Sequence, residues 1–143
     1  MLRRPSAPVL ALLTLALAAG CSQAPTAPQI PTLSGAWFGM ESLPHPDGSV
    51  DVVHIELGMT QRDGGAVRGS GRMFVDGRPQ IPVVVRLGMN TYPSFDLVLG
   101  LDGPEDIHVK GTFNSPQQLL VTLTGAGWTG QTVILNRDLR GGL

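Results

Sequence analysis

Few side chains in this sequence are of types that do chemistry, and their spacing limits what each can do. Cys21 is the only cysteine. That excludes an internal disulfide and any cysteine-based zinc site, and leaves one thiol able to take a covalent group. His54 and Glu56 lie two apart, hence on one face of an extended segment, and His108 stands on another segment. Two histidines and a carboxylate are a donor set for catalytic zinc, but these are far apart in sequence and no ligand spacing connects them. Asp47-Gly48-Ser49-Val50-Asp51 carries oxygen donors of calcium-loop type. It is too short for an EF-hand loop and lacks its later Glu, so it reads as a hairpin turn.

Gly69-Ser70-Gly71 does not have the Gly-x-Ser-x-Gly spacing of a nucleophile elbow. Glu105-Asp106 sits beside a turn and is most simply a pair of solvated charges. No catalytic residue, metal site or cofactor is expected, and the chain is not expected to be an enzyme. Trp37 and Trp128 are the only indoles. Either they meet where the first and last strands close and seal a core, or they line the mouth of a ligand cavity. Both are retained as ligand-binding candidates.

These residues are carried by three unlike stretches. Residues 1–8 contain Arg3 and Arg4 and no acid, and Val9 to Ala19 is an apolar run broken only by Thr14. Such a run is too short for a spanning helix, which needs about 20 apolar residues, but it suits the core of a secretion signal. Leu17-Ala18-Ala19-Gly20-Cys21 closes it with small residues before the cysteine. This sequence resembles the lipobox of bacterial lipoproteins, with Ala18 where Leu is more usual. The resemblance implies cleavage before Cys21, a diacylglycerol on its sulfur and often an acylated new N-terminus. Two or three acyl chains make attachment effectively permanent, whereas one holds only marginally. Ser22, rather than Asp, follows the cysteine; the resemblance then implies the outer membrane if the cell is diderm.

Residues 21–32 follow as lipidated cysteine and tether. Pro25, Pro28 and Pro31 recur every third residue with no charge between them. Fixed φ angles favour polyproline II at about 3.1 Å per residue, a spacer of roughly 30 Å.

From residue 33 to residue 140 short apolar runs alternate with Gly, Pro, Asn and Asp, in a chain of 143 residues with 19 Gly and 12 Pro. That length allows one core. The clearest period of two is Val53, Ile55, Leu57 and Met59 against His54, Glu56, Gly58 and Thr60. Similar alternation recurs around Gly69 and Gly71, whose glycines on the inward parity imply a bent strand or close backbone approach. Ile81 to Leu87 alternates with a ladder gap or bulge expected at Pro82. Residues 88–93 read as a loop, Phe95 to Leu101 and Ile107 to Phe113 as strands. Leu119 to Thr124 has a Ser-Pro start that could open a helix, but its β-branched residues favour a strand. Trp128 to Asn136 is the last strand.

About eight strands joined by short turns must lie antiparallel, as an up-and-down meander that closes into a small all-β barrel and so leaves no open edges. With Gly35-Ala36-Trp37 on the first strand and repeated Gly-small steps later, the domain resembles the calycins, the lipocalin and avidin group. The resemblance implies a barrel able to hold a small ligand. Biotin binding does not carry over, because too few aromatic residues are present.

Removing Arg3 and Arg4 with the signal leaves 8 Lys and Arg against 11 acids, a net charge of about −3 (8 minus 11). Without a basic stripe, nucleic acid is not an expected partner. The expected protein is an envelope lipoprotein whose barrel binds a small apolar ligand. The alternative is a filled barrel that docks on another envelope protein. Replacing Cys21 with Ser should move the protein from the detergent-dependent membrane fraction to the soluble fraction, or block its processing. Unchanged fractionation of that variant would sink the anchor.

Overall fold

The structure, a computed structural model, describes residues 29–44 and 46–140. The signal segment, Cys21 and residues 22–28 of the tether lie outside the described residues, as do His45 and residues 141–143. The described chain forms eight strands: β1 (Gly35–Pro44), β2 (Val50–Gln61), β3 (Val67–Val75), β4 (Ile81–Thr91), β5 (Ser94–Gly100), β6 (Asp106–Ser115), β7 (Gln118–Gly125) and β8 (Trp128–Arg137). Each pairs antiparallel with the next, and β8 returns to β1, so the meander is a closed all-β barrel.

Side-chain alternation places the core. In β2, Val53, Ile55, Leu57 and Met59 are buried while His54 and Glu56 lie on the outer face. Phe95, Leu97 and Leu99 of β5, Ile107 and Val109 of β6, and Val133 and Leu135 of β8 join them in one interior cluster. Each such side chain contributes about 1.5–3 kcal/mol on burial, which makes the inward parity of every strand the dominant determinant of register.

Two inward glycines are required by close approach. A Cβ on Gly71 would overlap the carbonyl oxygen of Glu56 on β2, so β2 and β3 bend tightly together there. Gly111, buried on β6, lies opposite Phe95, whose ring fills the space a side chain would take. An aromatic ring laid over a cross-strand glycine restores the packing the glycine lacks.

The fourth strand departs from expectation. Its irregularity falls between Val85 and Leu87, at Arg86, and not at Pro82. One extra residue reverses the parity, so Leu87 is exposed and Asn90 is buried. Pro82 causes no gap because β4 pairs with β5 only from Val84 onward; Pro82 faces β3 alone, opposite Arg72. The strand also runs on to Thr91, so the loop expected over residues 88–93 shrinks to Tyr92 and Pro93. Leu119 to Thr124 is strand, with each residue paired to β8 or β6.

The meander puts the β1–β2, β3–β4, β5–β6 and β7–β8 turns at one end and the remaining turns, with both chain ends, at the other. Gly71→Ala should lower stability by about 1–3 kcal/mol, the usual cost of forcing atoms into packed space, read as a lower urea midpoint at unchanged slope. A midpoint like that of wild type would show that β2 and β3 do not approach so closely.

Candidate functional site

The two ends of the barrel are built differently. At the end where the chain enters, residues 31–34 cross beneath the strands and form a plug. Leu33 is fully buried, and its carbonyl accepts a hydrogen bond from the indole nitrogen of Trp37 at 2.8 Å. Trp37 pairs with Arg137 across the β1–β8 seam, and the guanidinium carbon lies 4.5 Å from the centre of the indole ring. Arg137 donates to the Ser34 carbonyl at 2.8 Å and to the Thr32 carbonyl. Burial lowers its pKa from the ordinary value. The half-buried positive charge is held by the ring face and two backbone carbonyls.

Gln61 and Asn90 complete the plug. The Gln61 side-chain oxygen accepts from the Leu33 amide at 3.0 Å and from the Asn90 side chain at 2.8 Å, and the Gln61 amide donates to the Ser34 hydroxyl at 2.8 Å. Asn90 also donates to the Pro31 carbonyl. Thus Pro31 and Thr32, expected in the tether, are already fastened to the barrel.

The opposite end is open. A cavity of about 230 Å³ enters the barrel there, its inner wall made by Val53, Met73 and Ile107 and its mouth by Leu43, Leu101, Ala126 and Trp128. Arg78, in the β3–β4 turn, lines the same mouth and pairs with Asp51 at 3.2 Å. The β7–β8 turn holds Ala126 and Gly127 at positive φ, +48° and +87°, the signature of a type I′ hairpin. Such a turn accepts alanine only at some conformational cost, and Ala126 here adds its methyl group to the apolar mouth.

The two tryptophans do not meet. Trp128 opens β8, while the Arg137 opposite Trp37 ends it; nine residues at about 3.3 Å each separate them along the strand. Trp37 belongs to the plug, and Trp128 lies half-buried at the mouth. Closure brings together the end of β8 and the start of β1, whereas Trp128 is at the start of β8.

His54 and His108 stand on the outer face of β2 and β6, which are not neighbours. His54 stacks on Phe74 at 4.5 Å and contacts the Asp76 carboxylate at 3.0 Å, while Glu56 pairs with Arg72. Asp47 makes a local turn, accepting from the Ser49 amide and hydroxyl. Among the described residues no group of three metal-ligating side chains converges. The sequence did carry one sign of the plug: Arg137 continues the inward parity of Val133 and Leu135. Asn90 gave none, since the Arg86 bulge that turns it inward has no sequence mark.

No protein-family description matches the chain, and no curated protein matches it. Solved structures match in fold. The redesigned β-barrel mFAP1 bound to DFHBI has a TM-score of 0.60 at 17% identity, covering 73% of this chain and 94% of that one. The mFAP2b barrel bound to DFHBI has a TM-score of 0.58 at 16% identity, over 74% and 94% of the two chains. A de novo designed fluorescence-activating β-barrel has a TM-score of 0.58 at 12% identity, over 73% and 93%. At these identities the likeness is one of architecture, the same small closed antiparallel barrel that the calycin resemblance implied.

Arg137→Met should destabilise the barrel by about 3 kcal/mol, because two hydrogen bonds from a charged donor are lost, each worth about 1.5–3 kcal/mol. Trp37 emission should shift to the red in the same variant. Arg137→Lys should recover only part of the loss, since an ammonium cannot reproduce the planar fork. Urea unfolding followed by fluorescence checks both, and a neutral Arg137→Met would remove the plug's claimed importance.

Proposed function

We propose that this protein is an envelope lipoprotein, anchored through Cys21, whose barrel binds a small apolar ligand at its open end and performs no catalysis. The observation that carries the binding role is the cavity of about 230 Å³ among Val53, Met73, Ile107 and Trp128. Protein interiors are otherwise close-packed, so an apolar opening of that size is a departure from the filled core below it. The DFHBI-bound designed barrels offer an architectural precedent only.

Size and charge narrow the ligand. An apolar cavity of about 150 Å³ accepts benzene, and drug-sized sites run to about 300–1,000 Å³. A ligand of one or two rings, or a short acyl chain, fits; a diacyl lipid does not. The strand ends and turns around the mouth carry Asp47, Asp51, Asp76, Asp102, Glu105 and Asp106 against Arg78 and Arg86. A rim with that excess of acids attracts neutral or cationic molecules in preference to anions.

A second role, docking on another envelope protein, is favoured by a different feature. Phe38 and Met40 of β1, Leu120 of β7 and Ile134 of β8 are exposed on neighbouring strands, with Leu120 directly opposite Ile134. Exposed apolar side chains gathered in this way mark contact surfaces more often than scattered ones do.

Native emission comes from Trp37 in the plug and Trp128 at the mouth, and a Trp128→Phe variant isolates the part due to Trp37. Titration with the neutral two-ring probe 1-naphthylamine should change native emission and saturate, leave Trp128→Phe emission unchanged, and give a response at least several-fold weaker in Val75→Phe, which narrows the mouth. Emission that stays constant across this probe, short-chain amines and short-chain fatty acids would reject ligand binding and favour the docking role.

A further inference from the structure

The proposed lipid anchor and the mouth belong to opposite ends of the barrel, and the charges are divided the same way. The described chain begins at Gln29 beside the plug, so any anchor at Cys21 attaches to the closed end. That end carries Arg62, Arg68, Arg137 and Arg140 against Asp63, Asp96 and Asp138, a net charge of about +1 (4 minus 3). The mouth carries the six acids already named against Arg78 and Arg86, about −4 (2 minus 6). The closed end also exposes two large apolar side chains beside the emerging chain. Ile30 is 70% and Leu139 76% exposed, and both border one shallow groove with Arg137.

We propose that the closed end of the barrel rests on the anionic bilayer surface that holds Cys21, and that the mouth consequently opens away from that bilayer, into the aqueous space. This inference rests on the anchored binding role proposed above and assigns it an orientation. Arg62 and Arg140 supply the electrostatic attraction, falling off within a Debye length of the surface. Ile30 and Leu139 supply apolar contact at the headgroup boundary, as in other interfacial segments. The acidic mouth is repelled by the same field.

Chain length works in the same direction. The eight residue steps from Cys21 to Gln29 span at most about 28 Å at roughly 3.5 Å each. Strands of about ten residues, at about 3.3 Å per residue and tilted by about 40°, make a barrel roughly 25 Å tall. Inverting the barrel to press its mouth on the bilayer would stretch the whole tether along its side. The ligand is therefore exchanged with the aqueous compartment, or with a soluble carrier, and is not drawn directly from the membrane beneath.

The test uses the lipidated protein, extracted from membranes and reconstituted in vesicles of phosphatidylethanolamine and phosphatidylglycerol. Because Cys21 is the only cysteine and its sulfur is occupied by lipid, an introduced cysteine takes a fluorescent label uniquely. Labels are placed at the closed end in Gln117→Cys and at the open end in Glu105→Cys. A quencher on the lipid headgroup should quench the label at position 117 several-fold more than that at position 105. Arg62→Glu combined with Arg140→Glu should reduce that difference while the protein still floats with the vesicles. Equal quenching, or stronger quenching at position 105, on protein that floats would overturn the orientation and leave the anchor intact. Protein that fails to float at all would overturn the anchor, and the orientation with it.

Discussion

The contact on which the barrel depends is the one between Trp37 and Arg137. Every other strand pair joins segments linked by a short turn, so their pairing costs little loop-closure entropy. The β1–β8 seam joins residues about 100 positions apart in the chain, and Trp37 opposite Arg137 is one of its two registered pairs. The indole, the guanidinium and the carbonyls of Thr32, Leu33 and Ser34 form one connected set. It joins the first strand, the last strand and the entering chain at a single place. A chain that lost the β1–β8 seam altogether would be an open sheet with two unpaired edges, a template for aggregation.

The plug also determines what kind of cavity the barrel can have. Leu33 and Trp37 fill one end, and the layers of Ile55, Leu57, Leu99, Val121 and Leu135 fill the middle. The apolar cavity of about 230 Å³ lies toward the turns that carry Leu43, Leu101 and Trp128. A hollow barrel and a filled one are thus not the two possibilities that the strand pattern suggests. This barrel is filled for most of its height and open at one rim. The distinction depends on side-chain volumes summed across strands, which no single strand's alternation reveals.

Polarity between the ends links the fold to its proposed role. Because strands alternate in direction, alternate turns collect at the same end, and each turn brings its charges with it. The acidic turns fall together around the mouth, and four of the seven arginines among the described residues gather near the chain ends. Along the sequence these charges look evenly mixed. The meander separates them into two faces of opposite sign, and a field of that kind orients a tethered domain even where no specific contact is made.

By itself the sequence determined the class of fold and most of the strands. Inward and outward parity has a period of two wherever one face is buried, and Asp-Gly, Gly-Gly and Ser-Pro steps mark the turns. It also carried the expectation of a lipid at Cys21, which depends on a short linear motif and on no tertiary contact. Tertiary structure alone decided the rest. The bulge at Arg86 moved Leu87 outward and Asn90 inward, because an extra residue shifts parity without altering composition. It set Trp37 and Trp128 at opposite ends, since closure depends on which end of β8 returns to β1. It made Arg137 a structural cation, because only the closed seam gives it an indole face and two backbone carbonyls.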